Sequence, residues 1–199
     1  MLNKSVPEKE KAMDFKTLLT SRRSVRNFLD REVPLSVVEE IVEDTRLAPS
    51  ASNRQPCRFI VIRDRELIEK LSTESKRNLL ADLVRNPGLP LKQYEATLRD
   101  EKFNVFYNPP CLVYVIGPRD QFSLDVDCGL TVAYFMFSAV SRGLGTCWIG
   151  LGANIRDRAT LSEIGVPDDC RIVAPVILGY PAGIPPVSER RSPEIVKII

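Results

Sequence analysis

The stretch from Leu124 to Val140 most limits how this chain can fold. It carries Leu130, Val132, Ala133, Tyr134, Phe135, Phe137 and Val140, with Asp127 before the longest apolar run and Arg142 just after it. The spacing predicts a helix that is apolar almost all round. Such a helix must be covered on more than one side. It is either the central helix of a large core or the face of a second subunit. The uninterrupted apolar part, Leu130 to Val140, is roughly half the ~20 residues that span a bilayer. A buried helix is therefore expected, and no membrane partner.

The 199 residues are 44% hydrophobic and 27% charged, which fits one domain with a sizeable core. A formal net charge of +2 argues against nucleic acid as the main partner, because binding a phosphate backbone needs a concentrated basic face. Cys57, Cys111, Cys128, Cys147 and Cys170 are odd in number, widely spaced and without a C-x-x-C pair. Reduced, mostly buried thiols are expected rather than a disulfide framework or a metal site. There is no histidine, which excludes His-based triads, His metal ligation and imidazole acid–base catalysis. Residues 1 to 12 read as a polar arm without the apolar segment of a signal peptide. A cytoplasmic protein is the simplest expectation, with residues 13 to 199 as one domain.

Several elements are legible along the chain. Residues 14 to 21 suggest a short helix. Pro34 opens a second, with Val37, Val38, Ile41 and Val42 inward and Glu39, Glu40, Glu43 and Asp44 in water. Arg58–Ile62, Cys111–Ile116, Thr146–Ile149 and Arg171–Leu178 read as strands. Leu67, Ile68 and Leu71 begin another helix. Residues 72 to 107 are only weakly periodic and suggest two short helices with a loop between them, either a lid or a peripheral insertion. Asn154 is a candidate cap for a helix that Gly165 ends. Few strands among many helices imply an α+β fold. The apolar tail Ile195, Val196, Ile198 and Ile199 should be tied down on its own domain or a partner.

Four motifs carry chemistry. Arg22, Arg23, Ser24 and Arg26 place three guanidinium forks and a hydroxyl within five residues, the donor set that a phosphate needs. Taken alone, the segment reads first as a solvated basic turn, and the other motifs are what point it to a phosphate. Pro49, Ser50, Ala51, Ser52, Asn53, Arg54, Gln55 and Pro56 form a polar loop between a helix and a strand. Most of it suits turns and caps, but Gln55 is not a turn former and could read the edge of a heterocycle. Gly143 and Gly145 are no dinucleotide fingerprint, because they follow a helix and lead into a strand. Gly143 is a helix C-cap, and the residues after it, to Gly150, offer backbone amides at a strand end. Arg190 and Arg191 stand near the C-terminus. With no histidine to activate them, Cys57 and Cys147 are assigned to packing.

In this order the motifs resemble the nitroreductase family of flavoenzymes. Arg22 to Phe28 is similar to its flavin-phosphate motif. Pro49 to Pro56 is similar to its second flavin loop, with Cys57 where an aromatic residue, often Trp, is usual. Gly143 to Gly150 resembles the turn before the flavin N5 contact. Gly179-Tyr180-Pro181 and Arg191-Ser192-Pro193 resemble the C-terminal segment.

The resemblance implies an α+β fold with a mixed, mainly antiparallel sheet surrounded by helices, in an intertwined homodimer with flavin mononucleotide (FMN) at the interface. It assigns Arg22, Ser24 and Arg191 to the phosphate, with Arg23 nearby, and Arg26 to the N1/O2 side of the ring. Pro49, Ser50 and Ala51 would come from the other subunit, with Asn53 and Gln55 close by. The Ile149 and Gly150 amides would serve N5 and O4. The implied reaction is ping-pong: NADH or NADPH delivers a hydride, then a small acceptor such as a nitroaromatic or a quinone is reduced. The flavin carries that chemistry, so no side chain is assigned as catalytic. Relatives that dehalogenate or cleave a flavin, and non-catalytic flavin-binding proteins, are the alternatives.

Overall fold

The computed structural model describes residues 13 to 199, so the polar arm expected at residues 1 to 12 lies outside the described residues. Its centre is strand β2 (Cys111–Pro118), which is buried along almost its whole length. Both faces are covered, which is why the strand reads as a continuous apolar run rather than an alternation. Leu112, Tyr114 and Ile116 point into one core, with Ile68, Leu71, Leu79, Leu98 and Phe106. Cys111, Val113 and Val115 point into the other, with Val38, Ile41, Val132 and Phe135.

The sheet has the order β1-β2-β4-β3, with β1 (Arg58–Ile62), β3 (Gly145–Trp148) and β4 (Cys170–Gly179). All its strand pairs are antiparallel. The parallel component is a single bridge between Ser24 and Thr146. Helices α1 (Phe15–Ser21), α2 (Leu35–Asp44) and α5 (Leu124–Ser141) precede or cover the second core. Helices α3 (Arg65–Arg85) and α4 (Glu95–Arg99) cover the first, with α6 (Arg158–Glu163) just before β4.

Residues 72 to 107 differ from expectation. Leu67 through Leu83 belong to one 21-residue helix, and Leu79, Leu98, Val105 and Phe106 are core residues. The two ends of the segment are therefore anchored in the first core, whereas residues 84 to 97 between them include no buried residue. The periodicity is weak because the inward stripe of α3 carries polar residues with structural work. Lys76 Nζ donates to the carbonyls of Asp100 (3.0 Å), Glu101 (3.3 Å) and Phe103 (2.7 Å). Ser72 accepts the Val105 amide (2.9 Å). Glu74 accepts the amides of Arg156 (2.8 Å) and Asp157 (2.9 Å). Buried loop backbone is satisfied this way where no ladder reaches it.

Asn154 is not the cap of α6. Asp157 is, accepting the Thr160 amide at 2.9 Å, while the Asn154 carbonyl is taken by Asn78 (2.7 Å). Gly143 does end α5: its φ is +72°, and the Leu144 amide returns to the Ala139 carbonyl (2.9 Å), a left-handed cap. Helix α5 is long and apolar enough to cross a membrane by composition, but its inner face packs in the second core. Asp44 of α2 clamps its C-terminal turn through Ser138 (2.7 Å) and Arg142 (2.8 Å). Its outer face is not covered by the described residues: Val126, Leu130 and Tyr134 are exposed there.

The start of β3 touches the basic segment closely. A Cβ added at Gly145 would lie 2.7 Å from the Cβ of Val25, an atom attached to the backbone with little room to move. Gly145→Ala is expected to lower the unfolding free energy by about 1–3 kcal/mol, read from the shift of the urea midpoint.

Candidate functional site

Backbone pairing on two sides positions the basic segment. After α1 the chain turns extended, and the Val25 amide donates to the Thr146 carbonyl (2.9 Å). Further on, the Leu29 amide donates to Tyr180 (2.8 Å) and the Ala182 amide to Asn27 (3.0 Å). Arg31 stacks on the Tyr180 ring, 3.9 Å from its centroid. Val25 is buried, which leaves Ser24 and Arg26 outward. Among the described residues, no carboxylate forms an ion pair with Arg22, Arg23 or Arg26. Arg26 instead lies 5.6 Å from the centroid of Tyr107, a cation–π distance. Tyr107 and Asn108 both hold left-handed backbone, with φ of 62° and 50°.

The same segment acts on the end of β3. Burial pushes the Cys147 thiol up, and Arg26, Ser24 and Arg22 oppose that shift. The three basic-motif residues and Cys147 therefore share one environment. A raised thiol agrees with a packing role for Cys147.

Beyond Trp148, the Ile149 amide donates to the Pro175 carbonyl (2.8 Å). It is not free to serve a flavin, which corrects the expectation for that residue. Gly150 opens the tight turn Gly150–Ala153, so its amide lies outside the turn's own hydrogen bonds. It is exposed, and a Cβ placed there would meet no atom of the described residues within 4 Å apart from its chain neighbours. The turn is fixed from beneath: the Tyr114 hydroxyl donates to the Gly152 carbonyl (3.1 Å), and Ser75 donates to the Leu151 carbonyl.

The loop of residues 49 to 56 is held in an unusual shape. Ser52, Asn53 and Gln55 have φ of 50°, 54° and 48°, a left-handed region that persists in non-glycine residues when surroundings over-determine it. Ser50 Oγ accepts the Gln55 amide (3.0 Å), and Gln55 Nε2 donates to Asn53 Oδ1 (2.9 Å). The Ala51 amide donates to Asp127 Oδ1 (2.9 Å), and Asp127 Oδ2 accepts from Ser123 (2.7 Å). Pro49 precedes these contacts and is exposed.

Within one chain, these two groups do not meet. The loop is anchored at the N-terminal end of α5 through Asp127. Ser21, Arg23 and Val25 line a cavity of ≈ 460 Å³ with Val140 and Gly143, at the other end. Asp127 and Val140 are about 20 Å apart at 1.5 Å per helical residue. Arg191 lies in the exposed C-terminal segment, outside the regular elements.

The model of the nitroreductase family matches residues 19–180. The chain belongs to the nitroreductase family. A protein of Archaeoglobus fulgidus with the provisional name NADH dehydrogenase/NAD(P)H nitroreductase is 28% identical, over 82% of this chain and 83% of its own. The nitrobenzene nitroreductase of Ectopseudomonas oleovorans is 27% identical, over 82% and 85%. A nitroreductase of Desulfitobacterium hafniense solved with bound FMN shares the fold, with a TM-score of 0.78, 22% identity, and coverage of 92% of this chain and 97% of that one.

In this nitroreductase-family chain, sequence reasoning missed Asp127 as the anchor of the second loop. The available signal was the carboxylate nearest the apolar run, where a buried charge needs donors. Tyr107 was also missed, since nothing local places it against Arg26. Asp127→Ala leaves the Ala51 amide without its acceptor. A loss of about 1–3 kcal/mol is expected, read as a lower urea midpoint, together with faster proteolysis between residues 49 and 56.

Proposed function

We propose that this chain is an FMN-dependent oxidoreductase that works as a homodimer and reduces nitroaromatic, quinone or related small acceptors with NADH or NADPH. One observation carries the reading. Arg22, Ser24 and Arg26 sit beside Thr146 and Cys147 of β3, without carboxylate partners among the described residues, and the chain runs on from there to the open position at Gly150. That donor set fits the group: cations and a hydroxyl for a phosphate, and a free amide for the edge of a heterocycle.

In this reading Arg22 and Ser24 hold the phosphate with Arg23 nearby, joined by Arg191. Arg26 sets positive charge against the N1/O2 side of the ring, where it stabilises negative charge. The Gly150 amide serves the N5/O4 edge. When bound, FMN supplies the redox chemistry, accepting a hydride from NAD(P)H and passing electrons to the acceptor in a ping-pong cycle. No side chain has to act as acid or base, in keeping with a chain that has no histidine.

The dimer rests on two features. The outer face of α5 exposes Phe122, Val126, Leu130 and Tyr134 near and along the helix at four-residue spacing, one stripe on one side. A second copy lying against it covers the stripe. The loop of Pro49, Ser50, Ala51, Asn53 and Gln55 lies at the far end of α5 from the arginines of its own chain, so it serves the site of the partner subunit. The same reading places the protein in the cytoplasm, where its free thiols stay reduced.

Purified protein should be yellow, bleach anaerobically with NADH or NADPH, and regain its colour with nitrobenzene or a quinone. Colourless protein that takes up no added FMN would overturn the reading. Arg22→Ala should weaken FMN binding by about 1.5–3 kcal/mol, measured by fluorescence titration. Leu130→Glu should sediment as a monomer that retains no FMN.

A further inference from the structure

We propose that Cys57 and Cys128 form a peroxide-oxidisable dithiol, a modification site that reversibly crosslinks the 49–56 loop to α5. The inference rests on thiol geometry and stands apart from the flavin reading. The two sulfurs lie 3.3 Å apart. A disulfide needs about 2.05 Å, so roughly an ångström of closure is required. Cys57 is half-buried and follows Pro56, between the loop and the start of β1. Cys128 is fixed in the core on α5. A cavity of ≈ 250 Å³ leads to Cys57, lined by Thr45, Ser50, Gln55, Pro56, Phe59 and Thr131. It is large enough for a peroxide-sized oxidant.

The pair is asymmetric, as a nucleophilic and a resolving thiol must be. Hydrogen bonding with Cys128 brings Cys57 down to about 7, aided by the Thr131 hydroxyl (3.3 Å) and opposed by burial and by Asp127. Cys128 is pushed up by the same contact and by burial. The other three thiols are buried and raised, Cys111 to about 12. Cys57 packs against the second core as expected, and the proposal adds a redox role, because a neighbouring thiol and a hydroxyl give its thiolate hydrogen bonds.

The chemistry balances with a hydroperoxide as oxidant. The Cys57 thiolate attacks one peroxide oxygen, an S–O bond forms, the O–O bond breaks, and hydroxide leaves with a proton as water. The Cys128 sulfur then attacks the Cys57 sulfenic acid. An S–S bond forms, the S–O bond breaks, and the departing hydroxide takes the Cys128 proton as a second water. Two thiols lose two electrons and the peroxide gains them. Because Asp127, the neighbour of Cys128, already holds the Ala51 amide, the crosslink ties both ends of the loop to one turn of α5.

The full-length protein is treated with stoichiometric hydrogen peroxide and alkylated. Its remaining thiols are counted under denaturing conditions and its peptides mapped by mass. The expected result is the loss of two of the five thiols, a single peptide crosslink joining Cys57 to Cys128, and full recovery with dithiothreitol. Cys57→Ser and Cys128→Ser should each abolish the crosslink, whereas Cys111→Ser should keep it. An unchanged thiol count, a Cys57 that stops at sulfinic acid with Cys128 free, or a crosslink only between copies would each overturn the proposal. If Cys128→Ser does not fold, the peptide map of the wild-type chain decides by itself.

Discussion

Strand β2 is buried on both faces, and the layers that cover it carry the turn at Gly150 and the anchor of the 49–56 loop. A strand with apolar side chains on both sides stabilises the fold only if separate layers cover each face. Helices α3 and α4 close one core, and α2 and α5 close the other. Two of its side chains reach further. The Tyr114 hydroxyl fixes the turn that holds Gly150, through the Gly152 carbonyl. Val113 and Val115 seat α5, whose ends carry the two polar groups of the site.

Helix α5 separates those groups as much as it organises them. Its first turns hold the left-handed loop through Asp127, and its last turns border the cavity beside the basic segment. In the proposed function, a site divided in this way is completed by a second copy. The exposed stripe of Val126, Leu130 and Tyr134 offers the apolar area for that contact.

Much of the fold was legible because local physics decided it. Arg58–Ile62 and Cys111–Ile116 are apolar runs bounded by turn residues, and both are strands. Gly143 and Gly165 sit at left-handed positions after helices, where a side chain is costly. Helix α3 was not legible as one element, because Ser72, Ser75 and Lys76 occupy inward positions and bond to loops more than 20 residues away in sequence. No local rule anticipates a buried lysine whose donors are needed by carbonyls that pack there only after folding. Asn154 is not the cap because α6 begins three residues later than the spacing suggested, after Asp157.

The sequence by itself determined which chemistry was possible. Three arginines and a serine in one short segment, a polar loop before a strand, glycines after an apolar helix and the lack of histidine are properties of residue type and spacing, which folding does not change. Tertiary structure decided which of those groups are free to act. The Ile149 amide is spent on Pro175, whereas that of Gly150 opens its turn. Arg22, Arg23 and Arg26 find no carboxylate among the described residues, while Arg142 and Arg156 find theirs. Cys57 and Cys128, 71 residues apart in sequence, meet at 3.3 Å. A hydrogen bond or an ion pair depends on distances of a few tenths of an ångström between distant segments, and only the packed chain sets those.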